Sequence, residues 1–573
     1  MEKFDYKKYV LIRDEYRLKV NNIASMRMII FILMIASFIM GSKNNFFNIL
    51  GVFLVIIFIV FIFVHDKYYK LLDYYDKYVK VLDQYKDRMS DKWKKFDDKG
   101  YEYSNELFDD LNIVGDNSLF QYLSVCKTLS GRDKLISKLS NKKISVKELK
   151  DSQKVMEELN NNIEFDINFQ INMLEYEGKK INLESGFDYL DKSVGKRYID
   201  FAIGIIFSGG CLLLLLLGYL GIISYNYFYG LFVFNFLINY MYSFIYRDEF
   251  ESITKVSSLY GRLQNVYKCI IGENFKCSKL KKMSATIENS YDSVKRLVFI
   301  DDLNNLKNNI LSSFIFNGLF CINIMVMFMY SLFLNRDTDE LKKGIKDISE
   351  LEAMISLAGI GLIRDDVCMP SISDELCLDF SNIKHPLIDR DVCVGNDFKG
   401  KDGVNIITGS NMGGKTSFIR TIGVNLILMN AGTYVCADSF KGCYLKVFTS
   451  IGVGDDIDKG ISTFYGELLR IKKAIDYKDG NRIILVDEIF KGTNYNDRIY
   501  GAVNVIKKLN DKRSILFITT HDFELCDTDT KNLENYYVKE FYEGDNIKFD
   551  YKVRKGKCTS TNAKYLMKKL DII

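Results

Sequence analysis

Two regions of this chain are too apolar to face water throughout. The first holds residues 28–42 and 46–64, both uncharged and separated by Gly41-Ser42-Lys43-Asn44-Asn45. The run 28–42 is short of the ~20 residues of a spanning helix, but Arg27 and Lys43 can snorkel to the interface and make a span tolerable. The second region, 201–246, has no charged residue and is long enough for two spans turning near Ser224-Tyr225-Asn226. The pattern therefore predicts two transmembrane hairpins. A signal peptide is disfavoured for the first, because mixed-charge sequence precedes Met26 and no small-residue cleavage site follows. The flanks carry Lys7, Lys8, Arg13, Arg17, Arg27, Lys67, Lys70, Lys77 and Arg247, while the turns carry one Lys or none. Flanks are expected inside and turns outside.

Between the hairpins, Tyr68, Leu72, Tyr75, Val79 and Leu82 recur at helical spacing, predicting an amphipathic packing helix that leaves the membrane. Near the C-terminus the period changes. Residues 404–408, 483–486 and 514–519 are short apolar runs of the kind found in buried parallel strands, and 416–429 reads as a helix. The hydrophobic breaks divide the chain into a cytosolic segment (1–25), a first hairpin (26–65), a helical stretch opening a core domain (66–199), a second hairpin (200–246), the rest of that core (247–370) and an α/β domain (371–573).

Composition narrows the function classes. Lys+Arg 78 against Asp+Glu 74 gives a net charge of +4, too weak to mark a strongly basic nucleic-acid binder. Local clusters remain open: Lys255, Arg262, Lys276, Lys279, Lys281, Lys282, Arg296 and Lys307 read equally as a basic face or an interleaved solvated one. The 12 cysteines form no C-x-x-C pair, and with 3 histidines a zinc site is not expected.

Between the first strand and its helix lies Gly409-Ser410-Asn411-Met412-Gly413-Gly414-Lys415-Thr416, then Ser417, matching G-x-x-x-x-G-K-[ST]. Glycines let backbone N–H groups curl round phosphate oxygens, and the helix N-terminus adds its positive end. Lys415 would reach the terminal phosphates of ATP, and Thr416 would offer a hydroxyl to Mg²⁺. The 483–486 strand ends in Asp487 and Glu488, which read as an Mg²⁺ holder and as the group that orients or deprotonates the attacking water. The 514–519 strand leads to His521, placed by the strand-end rule in the ligand crevice as a γ-phosphate sensor. An ATPase with a basic N-terminus inside needs an even number of spans. The third uncharged stretch, 308–335, is therefore read as a buried helix with Asn317 and Asn323 facing partners.

These residues resemble the MutS family of mismatch-repair ATPases, relatives of the ABC ATPases. The loop 407–417 is very close to the family's, including its Asn411-Met412 pair. Ser462-Thr-Phe464 with Glu467 resembles the segment whose serine reaches the γ-phosphate bound by the opposite subunit. Asp487-Glu488-Ile489, Gly492-Thr493 and Asp497 resemble the Walker B strand and the subunit-facing loop after it, and Thr520-His521 matches the family's histidine. Gly556–Leu570 is similar to the segment closing that domain. Upstream, 348–370, Lys384-His-Pro386 and 117–153 look like parts of the family's core domain.

The resemblance implies an α/β P-loop ATPase domain of ABC/MutS type, preceded by an all-α core domain that here carries two transmembrane helical hairpins. It implies ATP and Mg²⁺, a site completed in a homodimer (Ser462, Asp497), and a multi-pass cell-membrane protein with lipid around its hairpins and a cytoplasmic ATPase domain. DNA is a further possible partner. The chain departs from the family in its N-terminal region: a membrane hairpin replaces the mismatch-reading domain, and the lone Phe-x-Glu, Phe541-Tyr-Glu543, reads as a surface strand. The position of the adenine-stacking aromatic falls near Val392-Cys393. Two functions follow: a tethered ATPase that couples hydrolysis to DNA binding, or an ATP-driven membrane machine without DNA.

Overall fold

A computed structural model describes residues 4–100, 102–191, 195, 197–452, 463–543 and 546–558. The chain divides into two compact units, residues 1–93 with 162–177, and residues 94–161 with 178–573. Elements are numbered in chain order.

The first unit is a long antiparallel pair, α1 (Tyr6–Gly41) and α2 (Asn45–Met89), joined by a tight turn. Asn44 caps α2 by accepting from the Phe46 N–H, and the Asn48 amide reaches back to the Gly41 carbonyl at 3.2 Å. A Cβ on Gly41 would lie 1.9 Å from Asn48, so glycine permits the close crossing. Leu72, Val79 and Leu82 are buried as the helical spacing predicts, beside stacked pairs such as Tyr9 and Tyr78 at 4.0 Å. The packing helix is the same helix as the second apolar run, so the 65/66 boundary falls inside α2. The short α7 (Ile163–Met173) binds this stem through Tyr74 to Asn168, 2.8 Å. At the apolar end the surface inverts: Ile29, Ile32, Ile49, Phe53 and Phe63 are 55–71% exposed.

The second unit opens with α3 (Glu106–Asp110), α4 (Leu119–Leu123), α5 (Leu129–Leu139) and α6 (Val146–Asn161), continues through α8 (Phe187–Leu190), and contains an apolar bundle. In that bundle α9 (Tyr198–Tyr219) and α10 (Tyr225–Ile245) form the second hairpin, followed by α11 (Arg247–Tyr260), α12 (Gln264–Ile271) and α13 (Ser278–Asn305). The stretch expected as one buried helix is two, α14 (Ile310–Phe320) and α15 (Ile322–Arg336), bent by 79° at Cys321, whose φ is 49°. Asn317 and Asn323 are buried and hydrogen-bonded, as expected.

Contacts show which way this broken helix runs. Below it, Asn304 bonds Thr254 at 3.0 Å and Lys307 covers Phe250, beside the C-terminal end of α10. At the break, the Gly318 carbonyl accepts from Asn235 and the Leu319 carbonyl from Ser208, residues near the midpoints of α10 and α9. Beyond it, Phe328 stacks on Phe201 at 4.0 Å, near the start of α9. The element enters the bundle to half depth and leaves at the end where it entered. Among the described residues, four helices are long and apolar enough to cross a membrane, five if the bent pair counts as one span.

The helix α16 (Thr338–Ile363) keeps a polar face in its first half, with Asp339, Lys343 and Lys346 exposed, and is buried on nearly every side from Leu351 onward, where its sequence is almost wholly apolar. Its Glu352 accepts from the Lys127 and Thr128 N–H groups and the Thr128 hydroxyl, closing the start of α5. Beyond α16 lies an α/β domain with two mixed sheets. The smaller has order β1-β5-β2-β3, from β1 (Ser371–Ile372), β2 (Leu378–Ile383), β3 (Asn396–Gly400) and β5 (Ser439–Gly442). The larger has order β10-β9-β4-β8-β7-β6, from β4 (Gly403–Thr408), β6 (Lys446–Ser450), β7 (Arg482–Asp487), β8 (Ser514–Thr519), β9 (Leu533–Glu543) and β10 (Asn546–Lys555). All its neighbours are parallel except β9 and β10. Helices α17 (Lys415–Asn430), α18 (Thr463–Asp476) and α19 (Tyr495–Leu509) complete the domain. Phe541 lies in β9, a strand as predicted.

Candidate functional site

The parallel register decides which residues meet. Ile407 pairs with Thr519 and Thr519 with Asp487, so the C-terminal ends of β4, β7 and β8 form one edge. The three strands are almost wholly buried, which fixes their ends in place. Ligands of open α/β sheets bind at such an edge.

From β4 the chain turns at Gly409, φ 133°, where a Cβ would come 2.6 Å from the Val538 carbonyl oxygen. It closes at Gly414, φ 90°, the residue before α17. Both positions require glycine, and the loop between them curls round the start of α17. Lys415 folds over this loop and donates to the Gly409 carbonyl at 2.7 Å and the Ser410 carbonyl at 3.0 Å. It is 2% exposed, and burial pushes its ammonium down to about 8 despite the carboxylates of Glu488 and Asp487. The Thr416 hydroxyl donates to the Asp487 carboxylate, 3.0 and 2.9 Å from its two oxygens. Thr519 donates to the same carboxylate.

Glu488 follows with φ 51° and Phe490 with φ 59°, a turn that side chains normally avoid. Buried Glu467 of α18 braces it by accepting the Phe490 N–H at 2.8 Å; burial pushes that carboxyl up to about 7. Burial would also raise Glu488, but Lys491 at 2.6 Å, His521 at 3.2 Å and Lys415 outweigh it and hold the carboxyl below its usual range. His521 Nε2 lies 3.2 Å from Glu488 and 3.4 Å from Lys415 Nζ. The first contact needs a proton on that nitrogen and the second needs none, so the imidazole can serve either neighbour. Its pKa is lowered by burial and by Lys415, against Glu488, which leaves it neutral near pH 7.

The structure therefore brings together Gly409, Ser410, Gly413, Gly414, Lys415, Thr416, Asp487, Glu488 and His521. Asn411 lies in the short 3-10 turn of the loop, Met412 is 72% exposed, and Ser417 is exposed on the first turn of α17. Asp497 is elsewhere: it exchanges hydrogen bonds with Asn494, 3.0 and 2.6 Å, as a cap of α19. Ser462 lies outside the described residues. Sequence reasoning missed Thr519 and Lys491, and also Tyr551. The Tyr551 ring stands beside Gly414, 3.1 Å from where a Cβ would lie, and is 47% exposed, whereas Val392 is 68% exposed.

The residues fit a nucleoside triphosphate with Mg²⁺. A buried cation donates to two loop carbonyls, and a hydroxyl–carboxylate pair sits beside it. Among known proteins, the family model MutS domain V matches residues 405–567. The chain is 34% identical over 231 residues to a DNA mismatch repair protein MutS of Staphylococcus epidermidis, covering 38% of this chain and 26% of that protein. It is 30% identical over 241 residues to the MutS of Carboxydothermus hydrogenoformans, covering 40% and 28%. The match spans about a quarter of the length of these relatives.

Proposed function

We propose that this chain, which belongs to the MutS family through its C-terminal domain, is a membrane-anchored ATPase whose nucleotide site is completed by a second copy and whose turnover is coupled to DNA binding. The observation that carries the ATPase reading is the Thr416–Asp487 pair lying beside a buried Lys415. Lys415 would exchange the Gly409 and Ser410 carbonyls for terminal phosphate oxygens. Thr416 and Asp487 would hold Mg²⁺, which would supply positive charge to offset that building on the phosphate oxygens. Glu488, kept ionised, suits orienting a water more than abstracting its proton. Neutral His521 can donate to the terminal phosphate. Tyr551 offers a ring face to the base, and Ser462 with the exposed start of α19, including Asp497, suits contact with the second copy. Four long apolar helices with outward apolar side chains support anchoring in lipid. That the relatives are DNA mismatch repair proteins supports DNA as partner.

The test is Mg²⁺-dependent ATP hydrolysis by the detergent-solubilised chain. Glu488→Gln is expected to lower kcat about 10²-fold or more while trapping an ATP-bound dimer. Unchanged turnover would remove Glu488 from this role. DNA affinity measured across a salt series should fall steeply with salt. No binding with or without ATP would sink the DNA coupling and leave an ATP-driven membrane machine.

A further inference from the structure

Away from the nucleotide site, a cavity of about 400 Å³ opens between α5, α13 and α16. Four ammonium groups line it: Lys134 from α5, Lys279 and Lys282 from α13, and Lys346 from α16. Two carboxylates, Asp347 and Glu350, share the wall, fewer than the four cations. Glu350 is engaged by Lys138 at 2.5 Å, outside the cavity lining. Burial and Glu350 push the Asp347 carboxyl up, against a hydrogen bond from Thr286 and the charges of Lys282 and Lys279. Lys134 reaches Glu184 at 3.3 Å, and Lys346 lies over the Phe187 ring at 5.8 Å. Among the described residues no carboxylate forms an ion pair with Lys279 or Lys282. Burial and the nearby Lys138 lower the Lys279 pKa, against the charges of Glu350 and Asp151, which raise it.

Lys134 and Lys279 are half-buried while Lys282 and Lys346 reach solvent, and a cluster with more cations than carboxylates favours a bound anion. We propose that this cavity binds a compact, soluble oligophosphate. Its volume suits a small molecule, and the lysines converge from three helices as a phosphate chain would require. A lipid headgroup is the other source of phosphate, but Lys282 and Asn305, where α13 meets the apolar bundle, are separated by about 35 Å at the helical rise per residue. The ligand therefore comes from solution. Bridging α5, α13 and α16 would stiffen the first half of α16, the helix that leads into the α/β domain, so the site lies where occupancy can alter turnover.

The test uses the full-length chain in detergent with inorganic tripolyphosphate, free of divalent ions. Lys415→Ala is introduced to silence the glycine loop. In that background tripolyphosphate is expected to bind once per chain and to raise the thermal midpoint by a few degrees. Adding Lys279→Ala and Lys282→Ala should weaken binding at least tenfold without lowering the ligand-free midpoint, since it removes repulsion. Lys346→Met, at the opposite wall, should weaken binding similarly and serves if the double change impairs folding. Four results overturn the proposal: equal binding in these variants, a shift reproduced by sodium chloride of equal ionic strength, a lysine-dependent loss of duplex DNA binding with no tripolyphosphate binding, or lysine-dependent binding to anionic vesicles alone.

Discussion

Lys415 carries its charge into a place that water hardly reaches, and its ammonium is held at about 8 rather than above 10. Triphosphate oxygens favour the charged form and should move that value back up. In the free protein the group is protonated below about 8 and neutral above it, whereas in the complex it stays protonated. Nucleotide binding should therefore take up a proton at pH 8.5–9 and take up almost none at Lys415 near pH 6.5. Calorimetric binding enthalpies in buffers of different ionisation heat measure this directly, and a buffer-independent enthalpy at pH 9 would contradict it. Tyr551→Ala should raise the KM for ATP about 3- to 10-fold with kcat within about twofold, the loss of one aromatic face. Steady-state kinetics separate the two. Lys415, Thr416 and Asp487 were legible because their chemistry is written in short spacings within single segments. Thr519, Lys491 and Tyr551 were not. Thr519 meets Asp487 through a strand register, and Tyr551 reaches Gly414 by long-range folding. Lys491 reaches Glu488 only because Glu488 and Phe490 adopt positive φ.

The broken helix shows the same limit among elements. Hydropathy marks residues 310–336 as apolar, and parity requires an element that does not add a crossing. Nothing in the local sequence forecasts a break at Cys321, which is neither Gly nor Pro. The break is stabilised from outside, because Ser208 and Asn235 supply donors to the Leu319 and Gly318 carbonyls that α14 leaves unpaired. In a membrane both ends of this element should lie on the inner side. Single cysteines placed at Ile310 and Asn335 in a cysteine-free chain should react with an impermeant maleimide from the same side as one at Arg247. Labelling from opposite sides would mean a fifth span. A second joint links α3 to α18: buried Asp110 accepts the Ile451 N–H at 3.0 Å and pairs with Arg470 at 2.8 Å. Asp110→Ala leaves that guanidinium without its partner and should cost about 3 kcal/mol, read as a lower thermal midpoint with ATP contacts intact.

Within the larger unit, α16 connects the half-depth element to the nucleotide domain. At its start Asp337 is gripped by Arg296, 2.5 and 3.1 Å. At its end Arg364 pairs with Asp366 and donates to the Pro386 carbonyl at 2.9 Å. A 26-residue helix anchored at both ends spans about 39 Å and transmits displacement better than it absorbs it. Motion of the α/β domain on nucleotide binding would then reach the apolar bundle. On the function proposed above, the source of that motion would be a second copy, since Glu488, Lys415 and His521 form one side of a site whose other side this fold leaves open to solvent at His521 and Met412. Two chains confined to one lipid disc should therefore hydrolyse ATP efficiently. A disc holding a single chain should bind ATP with similar affinity yet turn it over at least tenfold more slowly, because binding needs only the loop while turnover needs the partner's Ser462 segment. Mixing Lys415→Ala chains with Ser462→Ala chains should restore turnover at the one composite site that keeps both residues. Equal rates per chain in single- and double-occupancy discs would place the whole reaction within one copy and leave α16 without a driving partner.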